Sequence, residues 1–262
     1  MYSLGFLGLG KMGCSIASGV MSKGLYPKEA LSFFAPSEAT KQKGLSLGMA
    51  LANDERELVE SSKIIVLAIK PQKYEEIFSK LDGIDFQGKI IISLAPGKSL
   101  SYLSSIFKGA RIARAMPNTP SLIGKGVTTI ALLEEEIKEV IEIFSSIGIC
   151  LAVEEKRIDE AIPLSGSMPA YLFEFVKAFV ESAASYGISK EDAKKLALNA
   201  IIGSCELALQ SEEDLDVLLD NVCSKGGSTI AGLEQLRDYG FNEAVKKCYD
   251  ACVARSKELG KE

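Results

Sequence analysis

The stretch Tyr2-Ser3-Leu4-Gly5-Phe6-Leu7-Gly8-Leu9-Gly10-Lys11-Met12-Gly13 decides how the rest of the chain is read. Residues 2–8 form a short apolar run suited to a buried strand, and a helical stretch follows the glycines to about Lys23. Strand, glycine turn and helix in immediate succession open a dinucleotide-binding fold. Gly8 permits the tight turn, Gly10 lets the backbone approach a pyrophosphate, and Gly13 lets helix and strand pack closely. The helix start then turns free N–H groups towards the phosphates.

Working outward, strands and helices alternate. Leu31 to Phe34 read as a second strand. Ile64 to Ile69 (IIVLAI) are apolar throughout, as strands buried on both faces of a parallel sheet are. Pro71 to Leu81 return as a helix, with Pro71 in the first turn where it is tolerated. Lys89–Leu94, Arg111–Met116, Val127–Ala131 and Ile149–Val153 read as strands, Leu100–Phe107 and Glu134–Phe144 as helices. This alternation predicts an α/β domain with a doubly wound sheet.

The second half changes character. From about Asp159 no strand pattern remains, and Pro169–Tyr186, Lys190–Gln210, Leu215–Val222, Thr229–Tyr239 and Phe241–Leu259 all carry helical periodicity. Ser189 with Asp192, and Ser211 with Asp214, have the spacing of capping boxes, while Gly187 and Gly240 fall where helices should stop. The chain is therefore expected to divide into a Rossmann-type domain at residues 1–158 and an all-helical domain at residues 159–262. No low-complexity linker separates them.

Composition narrows the chemistry. The 262 residues carry 30 Lys+Arg against 35 Asp+Glu, a net charge of -5 without a basic block, which argues against nucleic-acid binding. No apolar run has the length of a membrane span, and the glycine-broken start is not a signal peptide. Six cysteines (Cys14, Cys150, Cys205, Cys223, Cys248, Cys252) are scattered without a C-x-x-C pair, so they read as reduced thiols in a cytoplasmic protein, and no metal site is expected. There is no histidine. Ser-His-Asp and Cys-His catalysis are thereby excluded, and any proton transfer must use another side chain or water.

The end of the second strand should select the nucleotide. An NAD site places an acid there, about 20 residues beyond the glycines, on the ribose hydroxyls. Here Phe34-Ala35-Pro36-Ser37-Glu38 puts no acid at the strand end, and Glu38 belongs to the first turn of the next helix. Ser37, with Lys41 and Lys43 near it, suits a 2′-phosphate, so the expected cofactor is NADPH, with NADH as the alternative.

Further motifs give the chain a family. Lys70-Pro71-Gln72, Met116-Pro117-Asn118-Thr119-Pro120, residues 161–171 (AIPLSGSMPAY), residues 222–232 (VCSKGGSTIAG) and residues 255–260 (RSKELG) follow the glycine turn in order. Together they resemble the pyrroline-5-carboxylate reductases from end to end. The resemblance implies a Rossmann domain followed by an all-α dimerisation domain, and reduction of 1-pyrroline-5-carboxylate to L-proline by NAD(P)H. It implies homodimers with intertwined helical domains, often assembled into larger rings. By the same resemblance Gly8, Leu9, Gly10, Lys11, Met12 and Gly13 hold the pyrophosphate, and Ala68, Lys70, Pro71 and Ala95 line the cofactor channel. Met116, Pro117 and Asn118 lie near the nicotinamide. Ser224, Gly226, Gly227, Ser228 and Thr229 match the loop that grips the substrate across the dimer, and Ser165 and Ser167 match two further serines of the family, expected to bind the substrate as well.

The residues support the substrate loop on their own. Glycines and free N–H groups at a helix start suit an anion, and this substrate carries a carboxylate. For the substrate that the resemblance implies, Thr229 is the expected catalytic residue, its hydroxyl bonding the ring nitrogen. A cyclic imine takes up its proton readily, which suits a chain without histidine. Two positions depart from the family: Met168 stands in place of glycine, and Lys225 in place of proline. Two other readings share the fold. A β-hydroxyacid dehydrogenase would need a catalytic Lys in a K-x-x-N-N pattern, whereas Lys177 is followed by Ala178, Phe179 and Val180. A non-catalytic nucleotide sensor has only Met168 and Lys225 in its favour.

Overall fold

The computed structural model describes residues 1–133 and 137–259. By its contacts the chain divides into two units, Met1–Pro169 with the stretch from Cys252 onward, and Ala170–Ala251.

The first unit winds about an eight-stranded sheet of order β3-β2-β1-β4-β5-β6-β7-β8. In chain order it runs β1 (Tyr2–Leu7), α1 (Lys11–Ser22), β2 (Leu31–Phe34), α2 (Glu38–Ser46), β3 (Ala50–Leu51), α3 (Glu55–Ser61), β4 (Ser62–Leu67), α4 (Tyr74–Lys80), β5 (Ile90–Ser93), α5 (Leu100–Ile106) and β6 (Arg111–Pro117). It continues with β7 (Gly126–Leu132), α6 (Lys138–Ser145), β8 (Gly148–Ala152) and α7 (Glu155–Ala161). β1 to β6 pair in parallel, with Leu4 between Leu31 and Ile64, while β7 runs antiparallel to β6 and carries β8 parallel to itself. The order reverses between β1 and β4, which places a topological switch point beside the glycine turn.

Strand alternation fills both faces. Leu4, Phe6, Val66 and Ile92 pack with Ile16 and Val20 of α1 and Ile143 and Phe144 of α6 on one side. Leu7, Ile65, Leu67 and Ile91 pack with Leu58 of α3, Ile77 of α4, Leu103 of α5 and Ile158 of α7 on the other. Successive side chains of β1 therefore reach opposite cores, which is why these strands are apolar throughout.

The helix expected from Glu134 to Phe144 is described from Lys138; Glu134, Glu135 and Glu136 lie outside the described residues. The remaining helices are α8 (Met168–Ala184), α9 (Lys190–Gln210), α10 (Leu215–Val222), α11 (Ser228–Asp238) and α12 (Phe241–Leu259). Ser189 caps α9, its Oγ accepting from Asp192 N–H at 3.1 Å and donating to Asp192 Oδ2 at 2.7 Å. The second expected box does not form. Ser211 follows the last turn of α9 and accepts from Glu213 N–H at 3.1 Å, while α10 begins only after Asp214. With the helix starting three residues later than Ser211 requires, the hydroxyl cannot reach its N–H groups.

The second unit buries little of its own. Val176 and Ala193 are its buried apolar residues, and Phe175 stacks against Phe179 and Phe241 at centroid distances of 4.9 and 6.3 Å. Leu196, Ile202, Leu207 and Leu209, all on α9, remain exposed. No helix among the described residues is long and apolar enough to cross a membrane.

Candidate functional site

The glycine turn takes the form its sequence implies. Gly8 has φ +86° and donates to Phe34 O at 2.9 Å, and a Cβ there would lie 2.8 Å from both Ala68 O and Ile69 Cγ2. Any other residue would be strained and crowded at once. Gly13 packs against Gly8 O, where a Cβ would stand at 3.2 Å. Around Gly10, the N-cap of α1, a Cβ would meet nothing within 4 Å. The surface is open where a phosphate would approach, and the first N–H groups of α1 have no intrahelical acceptor. The turn therefore fits a diphosphate. Leu9 is buried, whereas Lys11 is exposed and Met12 half-buried. Cys14 Sγ turns back to Leu9 O at 3.5 Å. Burial pushes its thiol up, with Lys43 acting the other way, so no thiolate opposes anion binding there at neutral pH.

At the end of β2, Ser37 caps α2. Its Oγ accepts from Thr40 N–H at 3.3 Å and donates to Thr40 Oγ1 at 2.8 Å. Glu38 lies in the first turn of α2, as expected, and stands 4.0 Å from Lys41 Nζ. Ser37 is thus exposed at the strand end and bonded to the half-buried Thr40, the half-buried Lys41 pairs with Glu38, and no acid stands at the capping position.

The neighbouring strand ends carry the other expected channel residues. Ala68 donates to Leu7 O at 2.9 Å, holding the β4 turn against β1. Lys70 precedes a short 3-10 turn, Pro71–Lys73, with Pro71 at its start, and Ala95 is buried just beyond β5. Met116 and Pro117 end β6. Asn118 is 6% exposed, which confines its side chain to internal partners: Nδ2 donates to Ser165 O at 3.0 Å and Oδ1 accepts from Val127 N–H at 2.8 Å. Ser165 Oγ, also buried, donates to Ala161 O at 2.9 Å, and Ser167 Oγ lies 3.4 Å from Cys252 Sγ. Within this unit the glycine turn and the ends of β2, β4, β5 and β6 share the carboxyl edge of one sheet. Asn118 joins the last of these to the Ser165 turn.

Ser224, Gly226, Gly227, Ser228 and Thr229 belong to the second unit. Gly226 has φ +70°, and Gly227 donates to Ser224 O at 3.0 Å, closing a turn directly before α11. Gly227 is the N-cap and offers no side chain, so the leading N–H groups of α11 lack intrahelical acceptors. Lys225, Ser228 and Thr229 are exposed. Thr229 opens an apolar groove of about 820 Å³ lined by Phe179, Leu233, Leu236, Tyr239 and Phe241.

Two buried polar networks leave little trace in the sequence. Tyr74 OH lies 2.9 Å from Ser93 Oγ, with both residues fully buried. Arg114, 3% exposed, donates to Glu155 Oε1 at 3.1 Å and lies 4.0 Å from Asp159 Oδ1. The only sequence signal for Arg114 is a charge interrupting the apolar run Ile112–Met116.

A family model described as pyrroline-5-carboxylate reductase dimerisation matches residues 155–259, and one described as NADP oxidoreductase coenzyme F420-dependent matches residues 3–97. The chain is 32% identical to a pyrroline-5-carboxylate reductase of Methanosarcina acetivorans over 264 residues, covering 98% of each chain. Among solved structures it is similar to the pyrroline-5-carboxylate reductase of Coxiella burnetii, at 29% identity and a TM-score of 0.88 over 100% of this chain and 99% of that one. It is similar also to the Plasmodium falciparum enzyme solved with NADP bound, at 30% identity and a TM-score of 0.87 over 99% and 98%.

Proposed function

The chain belongs to the pyrroline-5-carboxylate reductase family, and from that premise we propose how its own residues carry the reaction. It reduces 1-pyrroline-5-carboxylate to L-proline, the last step of proline biosynthesis. The observation that carries this reading is the pairing, in one chain, of the open glycine turn at Gly8–Gly13 with a dimerisation segment specific to this family.

When bound, NADPH supplies the hydride. The N–H groups that open α1 hold its diphosphate, and Gly10 admits it. Ser37, Thr40 and Lys41 suit a 2′-phosphate, which favours NADPH over NADH. Ala68, Lys70, Pro71, Ala95, Met116 and Pro117 line the nicotinamide side. Asn118 and Ser165 serve it from behind, through the bonds that fix their two turns.

Ser224 and the N–H groups that open α11 hold the substrate carboxylate, with Ser167 as a further substrate contact. The Thr229 hydroxyl hydrogen-bonds the ring nitrogen and orients the imine carbon. A hydroxyl is too weak an acid to be the whole proton source, so the imine enters protonated or takes its proton from water. Most of the acceleration then comes from holding the two reactants in register.

The functional division we assign is residues 1–158 for the cofactor and residues 159–262 for dimerisation and substrate; the dimerisation match beginning at residue 155 supports it. A homodimer covers the apolar side chains that α9 leaves exposed, and rings of such dimers are the higher assembly we expect. Light scattering at assay concentration tests this, and a fully active monomer would refute it. Six unpaired thiols suit the cytoplasm.

The deciding experiment follows NADPH oxidation with pyrroline-5-carboxylate. Turnover with that imine, and none with 3-hydroxy acids and NADP, supports the assignment. Nucleotide binding without turnover would leave a sensor instead.

A further inference from the structure

We infer that Tyr74, acting through Ser93, is a positioning residue for the nicotinamide half of the cofactor channel. The inference rests on the reading above that NADPH occupies the crevice at the glycine turn.

Tyr74 begins α4, directly after the 3-10 turn Pro71–Lys73 that follows β4. Its ring packs at 4.8 Å from Phe78, which lies 4.9 Å from Phe107, so phenylalanine would fill the same volume. The hydroxyl is what needs explaining, because burying one costs free energy unless it is bonded. It is bonded to Ser93 Oγ at 2.9 Å. Ser93 is itself an anomaly, a fully buried hydroxyl ending the apolar strand β5. Its Oγ accepts from Ala95 N–H at 3.2 Å. The chain Tyr74–Ser93–Ala95 therefore ends on the backbone of the turn beyond β5, and begins on the first residue of α4, directly after the turn beyond β4. Burial pushes the Tyr74 hydroxyl far up, so it stays a neutral hydrogen-bonding group throughout the working pH range.

The two turns it joins flank the switch point on the side away from β2. In a doubly wound sheet the β2 end takes the adenosine ribose, so the β4 and β5 ends face the other mononucleotide. A bond that fixes Ala95 against the Lys70–Lys73 turn should thus tune affinity for one half of the cofactor and leave the other half alone. A purely structural bond would have no such preference.

The test compares NADPH with 2′-phospho-ADP-ribose, which lacks the nicotinamide, by calorimetric titration of the intact protein. Tyr74→Phe should weaken NADPH by about fivefold to tenfold, the worth of one buried hydrogen bond, and leave the fragment unchanged. Its KM for NADPH should rise by the same factor, while KM for the imine at saturating NADPH holds. Ser93→Ala should repeat the pattern, and Ser93→Thr, which keeps the hydroxyl, should restore wild-type binding. Unchanged NADPH affinity in folded Tyr74→Phe overturns the inference, as does equal weakening of both ligands. Should Tyr74→Phe prove unstable, the Ser93→Ala and Ser93→Thr pair decides by the same criteria. Wild-type protein that fails to oxidise NADPH with the imine would instead remove the functional premise, and that control is read first.

Discussion

Asn118 holds Ser165 by the backbone, its Nδ2 donating to the Ser165 carbonyl at 3.0 Å while its Oδ1 accepts from Val127 N–H at 2.8 Å. One buried amide thus ties together the end of β6, the start of β7 and the turn before α8. Asn118→Ala leaves the buried Ser165 carbonyl and the part-buried Val127 N–H without this partner, each at about 1–3 kcal/mol. At about 2–4 °C per kcal/mol for a domain of this size, the expected fall in Tm is roughly 4–24 °C by calorimetry. Asn118→Asp keeps the acceptor but turns a carboxylate oxygen towards the Ser165 carbonyl, so it should be no better than alanine. A wild-type Tm in both variants would mean that the turn is held elsewhere.

The cofactor preference can be moved without unfolding the helix that carries it. Ser37 caps α2, so Ser37→Glu would add a charge and weaken a cap together. Ser37→Asp separates the two effects, because aspartate is as good an N-cap as serine. With a carboxylate placed where a 2′-phosphate would lie, kcat/KM for NADPH should fall and that for NADH rise, shifting the ratio at least about tenfold. Tm should hold. An unchanged ratio of kcat/KM would show that the nucleotide's phosphate lies elsewhere.

The two buried networks also show where the sequence stops being informative. The buried strands of the sheet and the helical second half follow from periodicity, because apolar spacing reports which faces must leave water, whereas the antiparallel placing of β7 against β6 does not. The glycine turn was legible because each glycine answers a separate steric demand, at Gly8 a positive φ and at Gly13 a close approach. Asn118 is singled out by the Met116–Pro120 motif, but nothing in the motif tells that its amide turns inward to Ser165 O and Val127 N–H. Hydrogen-bond partners distant in sequence, such as Asn118 and Ser165 or Tyr74 and Ser93, leave no periodic trace. The short β3 and α3 escaped for a related reason. Asp54 caps α3 through a bond from Glu57 N–H at 2.7 Å, yet the helix is only seven residues long and mostly charged, so its pattern is slight.

Arg114 should be more harmful when its partner is removed than when it is removed itself. Its guanidinium is buried, while the Glu155 side chain is about a third exposed and also accepts from Leu100 N–H at 2.6 Å. Arg114→Met leaves a carboxylate that still has water and a backbone donor. Glu155→Ala leaves a buried cation with only Asp159, 4.0 Å away, opposite it. Breaking a buried pair in the second way typically costs about 3–5 kcal/mol. Chemical denaturation should rank Glu155→Ala as the less stable variant, and the reverse order would overturn this account.

Ser224 and Thr229 should fail differently when cut. A carboxylate held by Ser224 and the N–H groups of α11 is bound alike in the ground state and the transition state. Ser224→Ala should therefore mainly raise KM for the imine, by about tenfold for a charge-assisted hydrogen bond of roughly 1.5 kcal/mol. The ring nitrogen gains full amine character only as the hydride arrives, so Thr229 acts on a group whose charge and bonding change along the reaction. Thr229→Ala should mainly lower kcat, by roughly tenfold to a thousandfold, with cofactor affinity nearly unchanged. Thr229 is the second residue of α11, and its loss alters no cap, since Gly227 occupies the capping position without a side-chain bond. Steady-state kinetics at saturating NADPH would separate the two effects. If Thr229→Ala kept the wild-type kcat, the threonine would be only an exposed residue in the first turn of α11, and the substrate nitrogen would have to be held by another group.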